Sequence, residues 1–256
     1  MPGENFWGQF GTAHLLTIAA AMFFIVIVYL YLRKETKRNQ ILTLFALSII
    51  GLASIVYEFI TTATLPLDWW ALSAILLPLA VLLRGKHTCN ILLLWSLSSL
   101  IRILCNPNIT GLEWINASNV LHYITDVFVF GITVLLFELN LVKRDLKTIK
   151  VSFFASSVIY LAVVIINIIY ETNYMSSAIP TNDFLKFLYS FFYVPHWYMI
   201  LAIPFLLFYM FWWYLPEILE ERKKNAPLRR RLKAINKYYR EYKKEYIDEI
   251  IEEKYD

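Results

Sequence analysis

The chain alternates long apolar stretches with short polar connections. Seven stretches approach the length of about 20 helical residues that crosses a hydrocarbon core. They run over 13–32, 41–60, 65–83, 90–105, 117–138, 151–171 and 194–215. The pattern predicts an all-α fold in which residues 1–215 form a seven-helix transmembrane bundle. The fourth stretch is short, and its Trp95, Ser99 and Arg102 recur at helical spacing. We therefore expect this face to be hidden against neighbouring helices.

Basic residues lie in alternate connections of this seven-span arrangement. Lysines and arginines cluster at 33–38, 84–86, 143–150 and 222–231, whereas the connections on the other side contain only Lys186. Because basic residues in short loops are retained on the cytoplasmic side, we expect the amino terminus outside and the carboxyl terminus in the cytoplasm. The first residues lack a basic segment and a small-residue cleavage site, so no cleaved signal peptide is expected.

Composition supports a membrane protein and argues against several other classes. Hydrophobic residues make up 59% of the 256 residues and charged residues 17%. With 7 glycines and no glycine-rich phosphate loop, nucleotide chemistry is not indicated. Cys89 and Cys105 lie in different segments without a CxxC motif, so neither a disulfide framework nor a zinc site is indicated. We expect no cofactor and no metal.

Polar residues within the predicted spans share one depth, near the outer end of the bundle. A charged side chain inside a span is costly, and such residues usually face a cavity or a partner. We therefore predict a polar cavity open to the outer leaflet. Its expected lining or ligand-binding residues are His14, Glu58, Asp68, Trp70, Arg102, His122, Asp126, Asn167, Asn173 and His196. The alternative for each is a structural hydrogen bond between helices.

Two charge pairings follow from this depth. Asp68, placed one turn into the third predicted helix, and Glu58 are the candidate counter-ions for Arg102, because the three lie at similar depth on consecutive helices. His122 and Asp126 are four residues apart and share a helical face, so the carboxylate is predicted to orient the imidazole or raise its pKa.

Several short strings occur together in one order. They are FGTAHL at 10–15, LPLDWW at 65–70, the NP of CNPNI at 105–109, His122 in VLHYI, TNYM at 172–175 and PHWY at 195–198. In this order the chain resembles the YwaF-type family over about residues 6–215. That family comprises bacterial multi-pass proteins related to eukaryotic transmembrane acyltransferases. The resemblance implies an integral protein of the bacterial plasma membrane.

The resemblance also implies a changed active site. The third helix of that family usually begins LPLHLC, whose cysteine accepts the acyl group in the acyltransferase members while a later histidine activates it. His122 matches the histidine, but Asp68, Trp69 and Trp70 replace HLC. Because an indole cannot carry an acyl group, we expect a non-catalytic lipid-binding protein or membrane-complex subunit. The alternatives are a lipid acyltransferase that uses His122 with a relocated nucleophile such as Cys105, and a transporter.

Residues 216–256 form a separate, charged segment, predicted to be a cytoplasmic amphipathic helix. One face of this helix presents Leu228, Leu232, Ile235, Tyr239, Tyr242 and Tyr246. The segment is expected either to lie against anionic lipid through its basic start or to dock a protein partner. Nucleic acid is not expected as a partner, because no recognised binding motif accompanies the basic residues. Membrane lipids are expected partners of the bundle, and the apolar stretch 183–194 is expected at the membrane interface.

Overall fold

The structure is a computed structural model that describes residues 12–105, 117–180 and 183–255. The side chain of Cys105 and many side chains beyond residue 227 lie outside this description. The described part is helical, with two 3₁₀ turns and no strand. Its helices are α1 (Thr12–Leu32), α2 (Lys37–Thr62), α3 (Trp69–Leu83), α4 (Lys86–Cys105), α5 (Ala117–Glu138), α6 (Thr148–Tyr170), α7 (Asp183–Phe191) and α8 (Ile203–Tyr255).

Six of these helices are long and apolar enough to cross a membrane. They are α1, α2, α4, α5, α6 and the first part of α8, while α3 is a shorter apolar helix of 15 residues. The prediction of a multi-pass helical membrane protein is therefore supported. The count of seven spans and the orientation stay predictions.

The start of α3 differs from the prediction. Residues 65–68 are extended and the helix begins at Trp69. Because the residue before a proline is biased away from helical geometry, Pro66 favours this later start. Asp68 therefore stands immediately before the helix and not one turn inside it.

The last predicted span also begins later and continues further. A 3₁₀ turn over Tyr198–Ala202 precedes α8, which then runs unbroken from Ile203 to Tyr255 through two prolines. The chain forms two compact units, one up to Trp212 and one from Trp213 onward. Within the second unit, Ile235, Tyr239 and Tyr242 are exposed, whereas the side chains of the other three residues of the predicted stripe lie outside the described part. A protein partner for this segment stays a prediction.

In the first unit, α4 is the central helix. It packs against α3, α5 and α6, while α2 packs against α3 and α5, and α1 packs on α5. Trp95 and Ser99 on α4 are buried, as predicted for this face, and Arg102 is partly buried. Because short connections join most of these helices, α2, α4 and α6 end where α3 and α5 begin. We call this the site end of the bundle.

Candidate functional site

An ion pair joins α4 to α5 at the site end. Arg102 donates from Nε to Oδ2 of Asp126 at 2.8 Å, and the Asp126 side chain is only 1% exposed. The guanidinium carbon of Arg102 lies 4.7 Å from the ring centroid of Trp70, so the cation also stacks on the indole. Trp70 itself is buried. The indole thus fixes Arg102 on one side and the carboxylate fixes it on another.

His122 contacts the same indole. The two ring centroids are 4.8 Å apart and the rings meet edge to face. The nearest carboxylate is that of Glu58, whose Oε1 is 3.8 Å from Nε2 of His122, too long for a direct hydrogen bond. We call Glu58, Trp70, Arg102, His122 and Asp126 the polar cluster.

Both predicted charge pairings are wrong in their partners. Arg102 forms its ion pair with Asp126, whereas Glu58 and Asp68 lie only near enough to interact with it through their charges. The carboxylate beside His122 is Glu58 on another helix, and Asp126 is occupied by Arg102. Depth along the bundle placed these residues together correctly. It does not specify which way each side chain points around its helix axis.

A single asparagine organises the turn after α6. Asn167 accepts hydrogen bonds at Oδ1 from the backbone N–H of Tyr174 and the hydroxyl of Thr172. Its Nδ2 donates to the backbone carbonyl of Tyr174 at 2.8 Å and to the Ser177 hydroxyl at 2.7 Å. Asn167 is 2% exposed and uses its full hydrogen-bonding capacity. It therefore holds residues 172–177, which we call the corner.

Asp68 ties α3 to this corner. The residue occupies the position before the helix but makes no capping bond, and its Oδ1 instead accepts from the backbone N–H of Met175 at 2.5 Å. The hydroxyl of Tyr174 accepts from the backbone N–H of Leu65 at 3.2 Å. The aspartate in LPLDWW thus connects two segments more than 100 residues apart in the sequence.

His196 is hydrogen-bonded to this corner. Its backbone N–H donates to the Ser177 carbonyl at 2.7 Å, its carbonyl accepts from the Tyr160 hydroxyl at 2.7 Å, and its Nδ1 lies 3.0 Å from the Ser177 hydroxyl. Met175, Ser176 and His196 have positive φ angles of 58°, 52° and 64°. Such backbone costs about 1–3 kcal/mol at each non-glycine residue, and it persists only where surrounding bonds determine it.

An apolar pocket of about 540 Å³ opens beside these groups. Its volume lies within the about 300–1,000 Å³ typical of small-molecule sites. Aliphatic and aromatic side chains of α3, α4, α6 and the start of α8 form most of its lining, among them Trp69, Trp95, Val164, Ile168 and Ile203. Polar groups are few: Asp68, Arg102 and His196, together with the hydroxyls of Ser98, Ser156, Ser157, Tyr160 and Ser176. The pocket therefore has the lining that an amphipathic ligand requires.

A second, polar pocket of about 360 Å³ shares Asp68 and Trp70 with the first. Glu58 and Asn173 also line it. Asn173 is engaged with its own loop, because its Oδ1 accepts from the backbone N–H groups of residues 178 and 179 at 2.9 Å.

Other predicted site residues lie apart from the two pockets. His14 is fully buried, and its Nε2 lies 3.1 Å from the carbonyl of Ile103, which ties α1 to α4. Asn167 supports the corner without appearing in either lining, and His122 and Asp126 of the polar cluster line neither pocket. Cys105 is the last residue of α4, but its side chain, and with it the proposed relocated thiol, lies outside the described residues. No group of three or more metal-ligating side chains occurs in the described part of the chain.

Sequence reasoning missed three residues of this region. They are Tyr160, Ser177 and Ser156. Tyr160 and Ser177 position His196, and Ser156 accepts a hydrogen bond at 2.8 Å from the indole N–H of Trp95 in the pocket wall. Hydroxyl residues are common in apolar helices, where they bond to the preceding turn, so their sequence positions carry no signal of such a role.

The comparisons with known proteins place the chain in a family. A family model described as the TMEM164 family matches residues 9–215, which includes the whole polar cluster and both pockets. No curated protein and no solved structure matches the chain. Since the match covers most of the sequence, the chain is a multi-pass membrane protein that belongs to the TMEM164 family.

Proposed function

We propose that this protein binds one membrane lipid in the apolar pocket and performs no acyl transfer. The observation that carries the proposal is the lining of the pocket, which is largely apolar and includes a few charged or polar groups, chiefly Arg102, Asp68 and His196. A lipid has the same division between hydrocarbon chain and polar head.

The exposure of the rim supports a ligand that enters from the bilayer. Ile168, Ile200 and Ile203 line the pocket and are between 42% and 61% exposed. In a protein with several candidate spans, exposed aliphatic side chains of this kind face lipid tails. A hydrocarbon chain can therefore slide from the bilayer between these side chains without crossing a polar barrier.

The surroundings of His122 support the absence of acyl transfer. A histidine activates a nucleophile only within hydrogen-bonding reach. The described groups beside His122 are the Trp70 indole and the Glu58 carboxylate, and neither forms a thioester. The resemblance to YwaF-type proteins supports the same conclusion, because Trp70 occupies the position of their acyl-accepting cysteine. We extend the proposal to a bacterial plasma-membrane location with the site end facing outward.

A pair of valine variants on α6 tests lipid binding. Val164 lines the pocket, whereas Val158 is exposed and does not contribute to its lining. Protein purified in mild detergent should carry one phospholipid per chain in native mass spectrometry. Val164→Trp should remove this lipid by filling the pocket, and Val158→Trp should retain it. Equal lipid occupancy in the two variants would contradict the proposal.

An acyl-adduct assay tests the non-catalytic part separately. Wild-type protein incubated with a long-chain acyl donor should contain no hydroxylamine-sensitive adduct. Recovery of an adduct that is abolished by Cys105→Ser and by His122→Ala would support the acyltransferase alternative instead.

A further inference from the structure

The hydrogen bonds around Ser177 determine which nitrogen of His196 carries the proton. Asn167 is oriented unambiguously, because its Oδ1 faces a backbone N–H and its Nδ2 faces a backbone carbonyl. Nδ2 therefore donates to the Ser177 hydroxyl, which acts as an acceptor in that bond. The hydroxyl proton of Ser177 is then free for the other neighbour of the oxygen, which is Nδ1 of His196 at 3.0 Å.

This arrangement selects the tautomer of His196 in which Nδ1 accepts and Nε2 carries the proton. Ser177 is fully buried, so a hydroxyl proton turned away from His196 would lose its bond without gaining water. Nδ1 is thus an acceptor, and Nε2–H is a donor. Nε2 has no hydrogen-bond partner among the residues that the structure describes, and His196 lines the apolar pocket.

We propose that His196 donates its Nε2–H to an ester carbonyl oxygen of a lipid held in the apolar pocket. The inference rests on the proposed function and deepens it, since it assigns the ligand class as an acyl ester. Arg102 supplies the cationic donor suited to a phosphate in the same pocket, and a neutral N–H matches a neutral carbonyl. The buried Ser177 hydroxyl has a positioning role, because it is inaccessible as a nucleophile.

The backbone of the corner supports a built site. His196 has a φ of 64°, and two hydrogen bonds hold its backbone. Its N–H donates to the carbonyl of Ser177, and its carbonyl accepts from the hydroxyl of Tyr160. A histidine in this left-handed region is unfavourable, so the fold expends free energy to aim this ring.

Asparagine and glutamine each replace one of the two ring nitrogens. In His196→Asn the amide oxygen lies near the position of Nδ1 and accepts from Ser177. Asparagine also tolerates the positive φ. The variant has no group at the position of Nε2. His196→Gln reaches the position of Nε2 with an N–H donor. His87→Asn, at an exposed position on α4, is the matched control.

Binding is measured by native mass spectrometry of the full chain with two soluble probes. One is dioctanoyl phosphatidylcholine, and the other is its dioctyl ether analogue, which lacks both carbonyls. We expect His196→Asn to weaken binding of the ester probe by roughly threefold to tenfold and to leave the ether probe unchanged. His196→Gln should recover part of the loss, and His87→Asn should bind both probes as the wild type does.

Two outcomes would overturn the inference while leaving the proposed function intact. One is that His196→Asn binds the ester probe as tightly as the wild type does, while Val164→Trp, measured alongside, does not bind it. The other is an equal loss for both probes, which would assign the bond to the phosphate. Failure of the wild type to bind either probe would contradict the proposed function itself.

The tautomer has a spectroscopic test that is independent of ligand. With ¹⁵N-labelled histidine, His196 should show an unprotonated Nδ1 that accepts a hydrogen bond and a protonated Nε2. Ser177→Ala should shift the Nδ1 resonance and populate the other tautomer. A protonated Nδ1 in the wild type would refute the assignment.

Discussion

The Arg102–Asp126 ion pair should be among the most destabilising contacts of the bundle to break. The Asp126 side chain is 1% exposed and the Arg102 side chain 31% exposed. Removing one member of a buried pair costs about 3–5 kcal/mol, because the other charge stays desolvated. Since the guanidinium is partly accessible, we expect about 2–4 kcal/mol for Arg102→Met, which retains most of the side-chain length.

The double variant Arg102→Met/Asp126→Leu separates the contribution of the ion pair from the other contributions of the two side chains. Arg102→Met removes the partner of the more deeply buried charge, and Asp126→Leu leaves the more accessible one, so the first should be the more destabilised. Combining both changes replaces the pair by apolar side chains and should restore part of the lost stability. Arg38→Met applies the same substitution at an exposed position and serves as the control.

Thermal unfolding in one detergent measures these differences. A loss of about 2–4 kcal/mol corresponds to a melting temperature lower by roughly 4–16 °C in a chain of this size. Arg38→Met should melt within about 2 °C of the wild type, because exposed substitutions rarely exceed about 0.5 kcal/mol. If Arg102→Met and Arg38→Met melted at the same temperature, the ion pair would not contribute to stability and the reasoning would fail.

Three further predictions concern the corner, the helix packing and the orientation. Asn167→Ala should lower stability by about 2–4 kcal/mol in denaturant titration, since it removes four hydrogen bonds of the corner; an unchanged midpoint would contradict this role. Gly131→Ala should cost about 1–3 kcal/mol because the new Cβ would lie 2.8 Å from a side chain of α1, whereas Gly51→Ala, with its nearest neighbour at 3.7 Å, should be tolerated. With both native cysteines replaced by serine, Thr64→Cys should react with an impermeant thiol reagent from outside intact cells and Lys34→Cys should not; the reverse labelling would invert the orientation.

Hydrophobic patterning predicts the helices of this protein well and their ends less well. The apolar stretches coincide with long helices because the bilayer requires every backbone bond to be satisfied within a segment. The sequence predicts residues 216–256 as a helix separate from the last span, whereas α8 continues through Pro216 to Tyr255. The change from apolar to charged residues marks a change of environment. It does not end a helix, because glutamate, lysine and arginine are strong helix formers.

The candidate site was predictable in depth but not in its contacts. Arg102, Asp126, His122 and Glu58 come together because each lies near the same end of its helix. Which carboxylate meets the guanidinium depends on the rotation of α4 against α5, and no residue pattern within one helix encodes that rotation. The hydrogen bond from the backbone N–H of Met175 to Asp68 depends on a loop whose course was not predicted.

Trp70 connects the polar cluster to the lipid site that we propose. The indole contacts both the guanidinium of Arg102, 4.7 Å from its ring centroid, and the imidazole of His122, whose ring centroid lies 4.8 Å away. The same ring lines both pockets and presents a face to the cation. A small thiol would offer Arg102 no stacking surface, and the ion pair with Asp126 would have to hold the guanidinium alone. The tryptophan therefore stabilises a fixed cation beside the apolar pocket, and a fixed cation is what recognition of a phosphate head requires.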